Sequence, residues 1–306
     1  MKILLKKIFS VLGLEIHRKK ILSPEPPCKE HRLAFGRYSV VTNNAALAHL
    51  YKNHPEMNQA LARLAQLVEQ HCPNTGIIDV GANCGDTVAL LRSVCHLPIL
   101  AIEGDIELLN TLRANIAQLD DVTLLACYLG ENTGTMSVNI EKSGWNSTLI
   151  PSTSAASSVN IVRLDEVRTP WLAAQRVSLL KCDTEGFDNA IIFGAQRLLD
   201  RDHPILCFEY NRENMAGINE PGLRIFPYLK QLGYEVVLAY DNVGRFVLST
   251  KTSESALLTD LHDYADGVNR GIYYYDFIVF PSDCMEIARL FCLSEAMYRT
   301  RAMGPK

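Results

Sequence analysis

The chain has 306 residues, 48% of them apolar and 21% charged, with a formal net charge of −4. That composition excludes wholesale disorder, allows one large domain or two small ones, and lacks the basic excess of a nucleic-acid binder. No apolar run reaches the roughly 18 residues of a membrane span. The nine cysteines form neither a C-x-x-C pair nor a Cys/His cluster, so they read as reduced thiols of a cytoplasmic protein.

Residues 1–20 carry six basic side chains and one acidic one, Glu15. Leu4, Ile8, Val11 and Leu12 fall on one face of a helix there. Glu15 interrupts the apolar stretch and no A-x-A site follows, which argues against a secretory signal. A basic amphipathic helix could touch an anionic membrane surface weakly, or could pack on its own domain or a partner subunit. Residues 1–27 are expected to be this segment and its linker, ending in Ser23-Pro24-Glu25-Pro26-Pro27. Residues 28–75 are expected to form a helical N-terminal cap, with a short strand at Arg37–Thr42 and a helix over 56–71. Residues 76–306 then make the main domain.

From Gly76 short apolar runs alternate with helical periodicity. Strands are predicted at Ile77–Val80, Pro98–Glu103 and Val122–Cys127, with helices at Thr87–Cys95 and Asp105–Leu119. Such a series of near-continuous apolar strands predicts a parallel sheet covered on both faces. Residues 130–160, punctuated by Gly130, Gly134 and Gly144, read as a hairpin insertion. Strands follow at Val159–Leu164, Val177–Asp183 and Pro204–Tyr210, with a helix over Asp188–Asp200. A second helix, Leu223–Leu232, ends at Gly233. Tyr234–Tyr240, Arg245–Ser249 and Ile272–Phe280 close the sheet.

Asp79-Val80-Gly81-Ala82-Asn83-Cys84-Gly85-Asp86 joins the first buried strand to its helix. Glycine there lets a ligand approach the backbone, at the sheet edge where ligands of open α/β folds bind. Glu103 ends the next strand and is placed to accept hydrogen bonds from a ribose diol. The loop is not G-x-G-x-x-G, and Asp79 and Asp86 would repel a pyrophosphate. S-adenosylmethionine, with its ammonium, sulfonium and ribose, suits the charge better than a nicotinamide dinucleotide. An oxidoreductase using NAD(P) on the same sheet is the rival enzyme. A membrane-associated module that binds S-adenosylmethionine without turnover is the non-catalytic alternative.

A second acidic group, Asp183 and Glu185 in Lys181-Cys182-Asp183-Thr184-Glu185-Gly186, follows one strand, and Glu209 with Asn211 ends the next. Neighbouring strands would crowd these carboxylates, raise at least one pKa and supply a general base. They could instead hold Mg²⁺ or Ca²⁺, although no resident metal is expected. Asp183 could alternatively cap the following helix while Lys181 neutralises a neighbour. Trp145 and Asn146 in the insertion could line a substrate pocket.

IIDVGANCGDT (77–87), AIEGD (101–105), GWNST (144–148), NIVRLDEV (160–167), LLKCDTEGFDNAIIFGA (179–195) and PILCFEYN (204–211) together resemble the FkbM-type methyltransferases. The resemblance covers roughly residues 70–290. It implies a Rossmann-like, mostly parallel seven-stranded sheet with the last strand antiparallel and helices on both faces. It implies methyl transfer from S-adenosylmethionine to a hydroxyl of a sugar, glycan or secondary metabolite. The expected step is an in-line displacement in which a carboxylate removes the hydroxyl proton. Asp79, Gly81, Asn83, Gly85 and Glu103 would serve the cofactor. Asp183, Glu185 and Glu209 would be catalytic, and Trp145, Asn146 and Asn211 would meet the acceptor. Asp188 stands where the family block more often has Glu.

Overall fold

The computed structural model describes residues 30–143, 146–152, 157–265 and 271–302. The basic segment and linker expected at 1–27 lie outside these residues.

Fourteen strands follow one another in the described residues. β1 (His31–Phe35) and β2 (Tyr38–Thr42) form a hairpin of their own. β3 (Gly76–Val80), β4 (Ile99–Glu103) and β5 (Val122–Ala126) come next, then β6 (Tyr128–Leu129), β7 (Gly134–Ser143), β8 (Asn146–Pro151) and β9 (Ser157–Val162). β10 (Val177–Cys182), β11 (Ile205–Tyr210), β12 (Tyr234–Asp241), β13 (Phe246–Lys251) and β14 (Tyr275–Pro281) complete the set.

The main sheet has eight strands in the order β13-β12-β14-β11-β10-β3-β4-β5. The five from β11 to β5 are parallel, whereas β14, β12 and β13 each run antiparallel to their neighbour. The last strand, β14, is antiparallel as expected, but the expected seven strands are corrected to eight, because β13 adds a second reversed strand at the edge beyond β12. The fold class, a Rossmann-like α/β sheet with helices on both faces, stands. β14 enters between β11 and β12, so residues 275–281 lie beside the end of a strand more than sixty positions earlier.

Alternation along the strands supplies both layers. Ile77, Ile99, Ala101, Leu179 and Ile205 face one core, and their neighbours Ile78, Leu100, Ile102, Leu180 and Leu206 face the other. Period-two side-chain direction in a strand buried on both sides requires this division. The first core is roofed by the helices Gln59–His71, Asp86–Val94 and Met285–Ala302 and by the β1–β2 hairpin, whose Leu33, Phe35 and Val40 are buried in it. Arg63 ties two of these helices together, donating from Nε to Glu295 at 2.6 Å. Within residues 30–75 the short strand expected at Arg37–Thr42 is β2, paired with the unexpected β1, and these residues share the main domain's core.

The helix expected over Asp188–Asp200 breaks in two, Asp188–Phe193 and Gln196–Asp202. The break falls at Gly194, where a Cβ would overlap the Gly130 carbonyl oxygen. Residues 128–162 form a four-stranded sheet, β6-β9-β7-β8, in place of a simple hairpin. The helices Ala45–Asn53, Arg212–Gly217, Ser255–Tyr264 and Met285–Ala302 were not expected. The eight cysteines among the described residues are free thiols. No helix among the described residues is long and apolar enough to cross a membrane.

Candidate active site

The parallel strands β3, β4, β10 and β11 end side by side, and their carboxyl edge opens into a cleft of about 1100 Å³, counting space open to solvent. The glycine loop forms its floor. Gly81 and Ala82 donate to the Ile102 carbonyl at 3.0 and 3.1 Å, and Gly85 donates back to Ala82 at 2.7 Å. Gly81 has φ +77°, a region costly for a side chain. A Cβ there would also overlap the Asp183 carbonyl oxygen. The glycine lets the two acidic loops touch each other.

Glu103 is 9% exposed and secured at both oxygens, accepting from Asn83 N at 2.9 Å and Asp105 N at 2.8 Å. Burial raises its pKa, and these backbone donors work against the rise. Each carboxylate oxygen has two lone-pair directions, so Glu103 keeps acceptor capacity towards the cleft it lines.

Asp79 lies beneath the loop with no exposed surface. Its Oδ1 accepts from Lys181 Nζ at 2.8 Å, and Oδ2 has no hydrogen-bond partner. Burial alone would lower the Lys181 pKa, but Asp79 and Asp183 outweigh it and hold the ammonium protonated. Lys181 reaches Asp183 Oδ2 at 3.6 Å. Asp79 therefore serves the loop from behind, since it does not line the cleft.

In the second motif Glu185 takes a left-handed φ of +55° and its Oε2 accepts from Asn214 Nδ2 at 2.7 Å. Asp188 closes the turn, accepting from Thr184 N and Gly186 N at 3.2 Å each. The capping role considered for Asp183 is not observed: the helix Asp188–Phe193 has no side-chain cap, and Asp188 instead secures the turn that precedes it. Burial, then repulsion from Asp183, pushes the Asp188 carboxyl up to about 7. Glu209, at the end of β11, is 7% exposed, and its Oε1 has no hydrogen-bond partner. Burial first, then Glu185 and Asp183, push its pKa well above the usual carboxylate range. One carboxylate oxygen from each of Asp183, Glu185 and Glu209 lies within 4.8 Å of the other two.

Asn211 spends its side-chain oxygen on Asn214 N, capping the helix Arg212–Gly217, and does not line the cleft. Trp145 lies outside the described residues. Asn146 opens β8 opposite Ser143, and Leu149 from the same strand reaches the cleft. Residues 30–70 are expected to help shape the acceptor site, but sequence reasoning named none of the wall residues Leu47, Leu50, Tyr51, Met57 and Asn58, nor Tyr128 and Tyr274. Tyr51 donates to the buried Asp86 at 2.6 Å and accepts from Asn58 Nδ2 at 3.0 Å. The only sequence signal for this wall was Asn44, which caps Ala45–Asn53 by accepting from Ala46 N and Leu47 N. Among the described lining residues of the cleft six are carboxylates (Asp86, Glu103, Asp105, Asp183, Glu185, Glu209) and none is Lys, Arg or His.

Solved structures similar to this chain include methyltransferase FkbM from Methylobacillus flagellatus KT, at 17% identity and TM-score 0.41, covering 58% of this chain and 43% of that one. Aeropyrum pernix fibrillarin in complex with natively bound S-adenosyl-L-methionine is 12% identical, TM-score 0.36, with 68% and 66% covered. The N-methyltransferase NodS from Bradyrhizobium japonicum WM9 is 7% identical, TM-score 0.41, with 75% and 98% covered. The chain thus spans less than half the length of the Methylobacillus protein. No curated protein matches it. The family model described as the methyltransferase FkbM domain matches residues 79–236, which takes in the glycine loop, Glu103 and all three clustered carboxylates. That span is just over half of the sequence, and the chain belongs to the methyltransferase FkbM-domain family.

Proposed function

We propose that this protein transfers a methyl group from S-adenosylmethionine to a hydroxyl oxygen of a small acceptor, a sugar, glycan or secondary metabolite. The observation that carries the reading is the charge of the cleft, six carboxylates with no basic residue among the described lining side chains. A pyrophosphate-bearing dinucleotide would meet repulsion there, whereas a cationic ligand gains from it.

The backbone of Gly81 and Asn83 and the remaining lone pairs of Glu103 would hold the cofactor, and Gly85, which does not line the cleft, would shape the loop from behind. Asp79, through Lys181, keeps the loop and the Asp183 turn in register. S-adenosylmethionine, when bound, supplies a methyl group made electrophilic by its sulfonium. The acceptor hydroxyl lies towards Asp183, Glu185 and Glu209 and loses its proton there. We assign the proton to Asp183, whose side chain is 40% exposed and so can pass it on to solvent. Leu47, Leu50, Met57 and Leu149 cover the cleft, limiting water and fixing the alignment of the reacting oxygen.

Calorimetric titration of the full chain with S-adenosylmethionine, S-adenosylhomocysteine and NAD(H) tests this reading. The first two are expected to bind, and Glu103→Gln is expected to weaken both. Binding of NAD(H) with no response to S-adenosylmethionine would overturn it.

A further inference from the structure

We propose that Arg168 and Arg197 clasp a phosphate monoester in a second cavity, which is separate from the cleft and does not depend on the methyl-transfer reading. This cavity lies between the turn Leu164–Glu166 and the helices Pro170–Ala174 and Gln196–Asp202. It measures about 1180 Å³, counting space open to solvent, and shares no lining residue with the cleft.

Two guanidinium groups meet there on one neutral atom. Arg168 Nη1 donates to the Asp165 carbonyl oxygen at 2.9 Å, and Arg197 Nη2 donates to the same oxygen at 2.6 Å. Those distances put the two nitrogens no more than 5.5 Å apart. Donors that share one oxyanion oxygen at about 2.7–2.9 Å each span a similar distance, at most about 5.8 Å. The backbone has thus already brought the pair to the separation that one anion needs. Each guanidinium carries five N–H donors, so the carbonyl uses only part of either fork.

The local charge is not balanced. Arg168, Arg197 and Arg201 line the cavity against one carboxylate, Asp165, among the described lining residues. The Asp165 side chain is 3% exposed, and its oxygens accept from the backbone of Arg197 at 2.8 Å and Leu198 at 3.1 Å. It lies 3.7 Å from Arg197 Nε and 3.9 Å from Arg163. Arg201 is committed to Asp202 through bonds of 2.8 and 2.6 Å. Arg168 has only the carbonyls of Asp165 and Val167 as partners, and no carboxylate pairs with it among the described residues. Two cations held this close repel each other, and a neutral carbonyl offsets little of that.

A phosphate monoester brings nearly two negative charges and three acceptor oxygens at pH 7, matching two guanidinium forks. A carboxylate would bring one charge. Leu164, Val167, Pro170 and Leu172 line the same cavity and offer an apolar surface to the organic part of the ester. The ester could be a soluble metabolite or a lipid headgroup, and the two share this chemistry.

The test is calorimetric titration of the full chain with inorganic phosphate in chloride buffer at constant ionic strength. One saturable site is expected. Arg168→Gln, at an exposed side chain outside the cleft, is expected to weaken phosphate by about tenfold or more and to leave S-adenosylmethionine affinity unchanged. If that variant does not fold, Arg197→Gln takes its place with the same expectation. Absence of saturable binding to the wild type would overturn the site. So would a folded variant that melts lower but binds phosphate equally well, which would confine the arginines to holding the Asp165 carbonyl. Given phosphate binding, co-sedimentation with phosphatidylcholine vesicles, with and without phosphatidic acid, identifies the source. Retention on phosphatidic acid that Arg168→Gln abolishes assigns a lipid headgroup; no retention, or retention equal in both proteins, assigns a soluble ester. Phosphate binding without S-adenosylmethionine binding would sink the methyl-transfer reading alone, and the reverse result only this site.

Discussion

Gly81 lies directly under the Asp183 carbonyl, close enough that a single added methyl group would overlap it. Asp183 N in turn donates to the Val80 carbonyl at 3.1 Å. The loop that would receive the cofactor and the loop that bears the proposed base are therefore one packed unit, formed where two neighbouring parallel strands end.

Gly81→Ala is expected to damage both loops together. The positive φ costs about 1–3 kcal/mol for a non-glycine residue, and the overlap with Asp183 adds to it. Thermal unfolding should show a clear drop, and S-adenosylmethionine affinity should fall more than tenfold. An unchanged affinity would mean that the two loops are not coupled.

Asp183→Asn should leave S-adenosylmethionine affinity within a few fold and lower turnover by about 10²–10⁴, the usual contribution of a positioned base. Single-turnover kinetics with the true acceptor decides it. Normal turnover would remove Asp183 from the chemistry.

Asp188 links stability to pH. Its folded pKa of about 7 lies above the ordinary 3.8. Between those values the native state holds a proton that the unfolded chain has released, so stability falls as pH rises from about 4 to 7 and levels off above. At about 1.4 kcal/mol per unit, the full effect is on the order of 4 kcal/mol. Asp188→Asn should be less stable at pH 5, because its amide nitrogen cannot accept from the second backbone donor, but its stability should change less from pH 5 to 7.5, so the gap to the wild type should narrow as pH rises. Urea unfolding at several pH values gives both slopes. Parallel curves for the two proteins would contradict the assignment.

Tyr51→Phe removes the donor to Asp86, a carboxylate only 6% exposed. Leaving a buried charged acceptor short of one bond costs about 1–3 kcal/mol. The loss should appear as a lower melting temperature together with weaker S-adenosylmethionine binding, since Tyr51 and Asp86 both line the cleft. A variant that melts lower with unaltered binding would confine Tyr51 to folding.

Much of the sheet is legible in the sequence. IIDV, PILAIE, VSLLKCD and PILCFEY are apolar runs too short for helices and too continuous for a one-sided sheet, and each contains a central parallel strand. Glycine and acid at their ends mark the binding edge. The helix Ala45–Asn53 carries a weaker signal, because only Leu47 is buried along it. The close approach of Gly194 to the carbonyl of Gly130, sixty-four positions away, is invisible locally.

The sequence by itself determined which segments bury both faces, where the backbone turns sharply, and that the ligand edge is acidic, because these follow from side-chain polarity and local steric freedom. Tertiary structure alone decided that β14 inserts beside β11, setting Asp276 against Glu209, that Lys181 is consumed by Asp79, and that residues 47–58 wall the cleft. Those outcomes depend on pairing between distant strands and on competition for one buried cation, and no local pattern encodes either.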